Sequence, residues 1–350
     1  MLGACVLASA SARAEEIRIE VLRGKPSAAL VDSGETHQLR AVSGELFFDG
    51  KKVRPPLVVR PGKSALLLDG RVLPGRIEAY ADATGLVLIN ALDLEEYVAA
   101  VVASEMPSSW PAAALEAQAV AARTYAVAQK IAQGPGARAH LGASVLDQVY
   151  AGAAHPAGSA RKAAKATAGE VLTFDAVPIE AWFSASCGGR GESGEAAFNL
   201  PAGSAPTAPG GDDGTFDSGA PRLSWTVREP LEQLSATLRR AGRLNATVTS
   251  LAVAKVTASG RVSRVRLTTA RGGTAGMSGA EFRQLLGYSA LPSLLFTIEM
   301  DGGTAVFRGR GSGHGVGLCQ WGARGRAIRG QTASEILAHY YPGAEIRRMY

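Results

Sequence analysis

The chain has 350 residues, 46% hydrophobic and 19% charged, a balance that excludes a disordered protein and lets a sizeable core form. Its net charge of +6 is spread over Lys and Arg with no basic block, which argues against a nucleic-acid-binding arm. Its 42 Gly follow no Gly-X-Y period, and beyond the N-terminus no apolar run approaches the ~18 residues of a membrane span.

Residues 1–14 read as the back half of a secretory signal peptide: Leu2–Ala10 is apolar, and Ala12-Arg13-Ala14 is an A-x-A-like cleavage site before Glu15. The positively charged leading region is missing, which suggests a start downstream of the true one. A buried N-terminal helix is one alternative. Cleavage at Leu2-Gly3-Ala4-Cys5, leaving a lipidated Cys5 as the only membrane anchor, is another. Residues 15–90 then read as an antiparallel β region, with short apolar runs punctuated by turns such as Asp49-Gly50 and Asp69-Gly70.

Helical signals begin at Asp93, which with Glu96 forms a capping box. Leu94, Tyr97, Val98, Val101 and Val102 follow at helical spacing, and Met106-Pro107 ends the helix. An Ala-rich helix runs from near Pro111 to Gln133, with Val120, Thr124, Val127 and Ile131 as its apolar stripe. A third helix spans Ala160–Ala168, and Val171–Phe174 and Val177–Ser186 read as a strand pair. Pro201–Pro221 reads as an exposed loop rich in Pro, Gly, Ser and Asp. Beyond it come a strand at Val262–Thr268, a helix at Gly279–Leu286, a hairpin at Phe296–Phe307 and a helix at Thr332–His339. Strands and helices fall in blocks without internal repeats, so the expected class is α+β, with residues 91–350 as a core continuous with the β region.

Three cysteines are present, and Cys5 leaves with the signal. In an exported protein the remaining Cys187 and Cys319 suggest one disulfide. Two unrelated buried thiols, or a metal site with His314, are the alternatives; the zinc signal is weak because no CxxC spacing occurs. No cofactor motif is found: the Gly-rich stretch around His314 is neither a P-loop nor a dinucleotide fingerprint.

Three segments carry most of the chemistry: DLEEYVAAVVASEMPSSWPAAALEAQAVAARTYAVAQK from Asp93, WFSASCGG from Trp182 and GRGSGHGVGLCQWGARGRA from Gly309. In this order they resemble the stage II sporulation protein D/LytB family. Further matches are Gln148–Gly152, Ser278–Arg283 and the tail His339-Tyr340-Tyr341-Pro342-Gly343. The resemblance implies a lytic transglycosylase of peptidoglycan glycan strands, leaving a 1,6-anhydro-muramic end, with Glu105 of the Glu-Met-Pro motif as catalytic acid. The alternative it implies is a non-catalytic, wall-binding enhancer of a cell-wall amidase.

Such an acid must stay protonated near neutral pH. The C-terminal end of a helix and the apolar neighbours Val102, Met106 and Trp110 would both favour that form. Arg123 is a candidate to bind a muramic lactyl carboxylate or to steady an acid partner, with a helix ion pair to Glu116 as the alternative. Ser184, Ser186, His314, Gln320 and Trp321 are candidate substrate contacts: His314 for sugar hydroxyls or to orient Glu105, with a packed, satisfied histidine as the alternative, Gln320 for an N-acetyl group, and Trp321 for stacking on a sugar face or as plain core. Glu192 is a possible further polar contact. Ser184, Ser186, Cys187 and His314 also admit a cysteine-hydrolase reading, for which no third, orienting residue is evident. Cys187 and Cys319 each lie among glycines, so the two loops are expected to meet and line the cleft around Glu105. The stretch Arg190–Leu200 lacks the Trp-rich sequence often seen in the family.

Overall fold

A computed structural model describes residues 15–143, 148, 150, 152, 158–201 and 214–350. The signal-peptide and lipid-anchor readings of residues 1–14 lie outside them. The class is α+β. The chain divides into two compact units: one holds residues up to 108, 126–171 and 347–350, and the second holds 109–125 and 172–346. Among the described residues no helix is long and apolar enough to cross a membrane.

The first unit is built on two sheets. One has the strand order Leu141–Gly142, Glu16–Lys25, Gly85–Asp93, Arg76–Asp82, Leu57–Val59. The other runs Lys51–Lys52, Glu45–Phe48, Glu35–Val42, Ser27–Asp32, Leu66–Leu68, Arg71–Leu73. Strand 16–25 buries Ile17, Ile19 and Val21 in alternation, one face to the core. Strand 85–93 buries every residue from Leu86 to Leu92, as a central strand covered on both faces must. At Asp49-Gly50 and Asp69-Gly70 both residues of each pair take positive φ, the tight hairpin geometry that such pairs favour.

Strand 85–93 feeds directly into helix α1 (Leu94–Glu105). Asp93 caps it, its Oδ1 accepting from Glu95 N–H at 2.9 Å and Glu96 N–H at 3.1 Å. Met106 is extended, as the residue before Pro107 must be, and ends the helix. Tyr97 on α1 donates to Gln148 Oε1 at 2.8 Å, and Tyr150 donates to Asn90 Oδ1 at 2.7 Å. Gly152 has φ +83 with the Val72 carbonyl against it, which leaves no room for a side chain. Gln148, Tyr150 and Gly152 of that motif therefore pack against α1 and its neighbouring strands.

Helix α2 (Ala112–Gln133) starts in the second unit and ends in the first. It is buried all round over most of residues 114–128, so its alanines serve close packing on every side. The single stripe expected from the sequence is corrected accordingly: Ile131, assigned to it, is 56% exposed. Helix α3 (Gly158–Ala166) returns to the first unit.

In the second unit, Glu170–Phe174 turns through Asp175-Ala176 onto Val177–Pro178. The longer strand expected over Val177–Ser186 is broken, and its end, Phe183–Ser184, pairs in parallel with Leu318–Cys319. Helix α4 (Gly194–Phe198) follows. A subdomain then packs helices α5 (Leu231–Arg240) and α6 (Gly279–Leu286) on two three-stranded sheets, Ser224–Pro230/Thr304–Arg310/Phe296–Asp301 and Val248–Val256/Val262–Thr269/Thr274–Ser278. Its core holds Leu234, Leu238, Val265, Leu267, Phe282 and Phe307. Helices α7 (Gln320–Ile328) and α8 (Ala333–Tyr340) close the unit, α8 with a capping box between Thr332 and Glu335.

Candidate functional site

Glu105 is the last residue of α1, half-buried beside the fully packed Met106, and no basic residue shares its helical turn. Its position follows from two local signals, the Asp93 cap and the Pro107 stop.

The other candidate residues lie in the second unit, where two remote loops are laced together. Ser186 and Ser312 exchange backbone hydrogen bonds at 2.9 and 3.0 Å, Glu192 N–H donates to Gly315 O at 2.8 Å, and Leu318 N–H to Trp182 O at 3.1 Å. The Tyr341 hydroxyl donates to Trp182 O at 2.7 Å and accepts from Leu318 N–H at 3.2 Å, which explains the Tyr-Tyr-Pro-Gly tail. Such closeness requires glycine. At Gly317, with φ +67, any Cβ would overlap the Trp182 carbonyl, and at Gly315 it would overlap the Arg261 guanidinium.

Cys187 and Cys319 meet within this lacing. No disulfide joins the two in this structure, and both side chains are buried. Cys319 sulfur instead accepts from Cys187 N–H and from Gly322 N–H, each at 3.3 Å, the latter capping α7. Between the cysteines lies Asp217, wholly buried. Its Oδ2 accepts from Ser186 Oγ at 2.9 Å and Gly188 N–H at 3.2 Å, with Cys187 Sγ at 3.7 Å. Its Oδ1 has no partner. Ligand atoms of Cys187, Asp217 and Cys319 lie within 4.8 Å of one another, a donor set of the kind that suits a thiophilic divalent metal. His314 is not part of that set. Asp217 was not legible in the sequence, which read Pro201–Pro221 as exposed. The neighbouring Phe216 is clamped by Arg326 and Arg329, 4.1 and 4.3 Å from its ring centre.

His314 braces the Gly-rich loop. Its Nε2 donates to Phe183 O at 2.9 Å and its Nδ1 accepts from Val316 N–H at 3.0 Å, as a packed, satisfied histidine would. Desolvation, little offset by the Phe183 bond, pushes its pKa down to about 4, so the ring is neutral. The hydroxyls of Ser184 and Ser186 are likewise turned inward, Ser184 Oγ accepting from Gly315 N–H at 3.2 Å. Arg123 is 0% exposed on α2, and its guanidinium Nη1 lies 3.5 Å from Ala119 O. Gln320 is buried and donates to Gln118 at 3.4 Å. Glu192 accepts from Thr257 and Ser259 hydroxyls at 2.6 and 2.8 Å, tying the subdomain to the loops. Trp321, like His314, stays partly exposed. It lies edge-on to Trp110 at 4.9 Å, with Arg324 over both rings. Both ring nitrogens of His314 are engaged, and among the described residues no third group orients it toward Cys187 as a cysteine hydrolase would need.

Comparison with known proteins completes the description. A family model described as stage II sporulation protein matches residues 82–174, and a domain of unknown function, DUF8618, matches residues 212–317. The chain is 31% identical over 279 residues to the stage II sporulation protein D of Bacillus subtilis, covering 74% of this chain and 75% of that one. To its counterpart in Bacillus amyloliquefaciens it is 30% identical over 282 residues, 74% and 75% of the two chains. It is also 28% identical over 293 residues to an amidase enhancer of Bacillus subtilis, 70% of this chain and 39% of that one. Taken with the motifs that shape α1 and the two laced loops, these matches establish that the chain belongs to the stage II sporulation protein D/LytB family.

Proposed function

We propose that the protein is an exported lytic transglycosylase that cleaves peptidoglycan glycan strands, with Glu105 as the acid and base. The observation that carries this reading is the carboxyl of the Glu-Met-Pro motif, held half-buried at the C-terminal end of α1 within the residues matched by the family model. The protonated carboxyl donates to the glycosidic oxygen as the bond to the muramic anomeric carbon breaks. The same group, now a carboxylate, takes the proton from the sugar's 6-hydroxyl as that oxygen attacks the anomeric carbon. One carboxyl suffices, since the internal hydroxyl replaces water and the second carboxylate of ordinary hydrolysis. The negative end of the helix dipole disfavours the ionised form that would precede the first step. In the second unit, Trp321 with Trp110 offers aromatic faces of the kind that stack on sugars. Glu105→Gln, isosteric but unable to donate a proton, tests the reading through release of anhydro-muramic products.

The relative named as an amidase enhancer favours a second reading, in which the protein binds the wall and stimulates an amidase. Glycan unchanged by the purified protein, with an amidase accelerated on its addition, would select that reading.

A further inference from the structure

The subdomain matched only as a domain of unknown function carries a cleft of about 610 Å³. It is lined by Arg190, Trp225, Phe296, Arg308 and Arg310, with no acidic residue among its lining groups. Its floor is built rather than incidental. A Cβ at Gly309 would fall inside the Trp225 ring, so the glycine lets the indole lie flat on its neighbouring strand. Trp225 Nε1 donates to Gly311 O at 2.9 Å, which fixes the ring's orientation and leaves its partly exposed body to the cleft. Phe296 stands 6.3 Å away, tilted by 54°. On the rim, Arg308 meets Glu299 at 3.2 Å, while among the described residues Arg190 and Arg310 have no ion-pair partner.

Guanidinium groups recognise carboxylates through paired N–H donors, and a partly exposed aromatic face binds the apolar face of a sugar ring. The volume lies within the range of small-ligand sites. We infer that this cleft is a second saccharide site, one that takes a carboxylated amino sugar, with the ring on Trp225 and the carboxylate between Arg190 and Arg310. The inference rests on the peptidoglycan reading above, since muramic acid differs from its neutral partner sugar by one lactyl carboxylate.

The test is calorimetric titration of the full chain with the disaccharide of N-acetylglucosamine and N-acetylmuramic acid, its lactyl carboxylate free. Chitobiose serves as the neutral match and inorganic phosphate as a competitor. The acidic disaccharide is expected to bind at least fivefold more tightly than chitobiose. That preference should vanish in Arg190→Ser/Arg310→Ser and shrink as salt is raised. Equal binding of the two disaccharides, or an unchanged preference in the variant, overturns the proposal. Phosphate that displaces the disaccharide at equal concentration also overturns it, leaving an oxyanion site that reads no sugar. Should the double variant fold poorly by circular dichroism, Arg310→Glu alone must abolish the preference. Binding is read without turnover, so activity retained in Glu105→Gln would remove the lytic reading while leaving this result standing.

Discussion

Helix α1 and the laced loops of the second unit reach their positions by opposite means. Glu105 is placed by neighbours in sequence: a cap at Asp93, an apolar face from Leu94 to Val102, and a stop at Pro107. Cys187, Asp217 and Cys319 are placed by partners up to 132 residues away, through backbone bonds that tolerate no side chain at several glycines. A region built locally can lose one signal and keep its form. A region built by remote backbone contact depends on each of them.

The largest effect should come from the lacing. Gly317→Ala drives a methyl into the Trp182 carbonyl at positive φ, and a loss of at least ~3 kcal/mol is expected in denaturant unfolding. Gly272→Ala, also at positive φ but with open space around it, should cost only about 1 kcal/mol. Equal costs would mean that strain at φ, not close approach, governs these loops.

Asp217→Ala comes next. It leaves the Ser186 hydroxyl without its buried acceptor and takes one of the two acceptors of Gly188 N–H, at roughly 2–3 kcal/mol. A thermal shift below a degree would show that Asp217 does not hold the two cysteine loops together.

Acidification sharpens the comparison, because each unit holds a histidine whose pKa desolvation pushes down, His140 in the first and His314 in the second. His140, in the first unit, accepts from Arg18 N–H at 3.2 Å, and desolvation first, then the nearby Lys130 and Arg18 charges, push it down to about 4, as His314 is. A histidine whose folded pKa lies below its unfolded value near 6.5 leaves the unfolded state holding more protons. Its stabilisation is therefore full above 6.5 and is lost as pH falls toward 4. By pH 5 each should cost roughly 2 kcal/mol relative to pH 7. His314→Gln should flatten the loss in the second unit only, read as a reduced pH dependence of its amide exchange; an unchanged slope would contradict the burial argument.

The smallest effect belongs to α1. Asp93→Ala removes one cap, and about 1 kcal/mol is expected, with Glu105 still at the helix end.

What could be read in the sequence follows the same division. The α+β class, both hairpin turns, α1 with its cap and stop, α6 and α8 are all carried by residues within a few positions of each other, and the sequence places them well. The strand from Val177 to Ser186 was misjudged because its end pairs with Leu318–Cys319, a partner no local pattern announces. Asp217 hid in a Gly- and Pro-rich stretch whose composition says exposed, although Phe216 anchors it through Arg326 and Arg329. The meeting of Cys187 with Cys319 was anticipated from their glycines; in this structure Cys319 sulfur accepts from Cys187 N–H and caps α7. Arg123, Ser184, Ser186, His314 and Gln320 stand out in sequence because they are polar, but the packing around them, such as the Phe183 carbonyl that His314 meets, comes from remote segments that no local pattern announces.

The central claim is that the carboxyl at the end of α1 carries out the chemistry. The most direct measurement is mass spectrometry of purified glycan strands incubated with the wild-type chain and with Glu105→Gln, each shown to be folded by its melting transition. The account predicts 1,6-anhydro-muramic products from the wild type and a loss of at least a hundredfold in the variant. Undiminished release of anhydro-sugar by Glu105→Gln would contradict it.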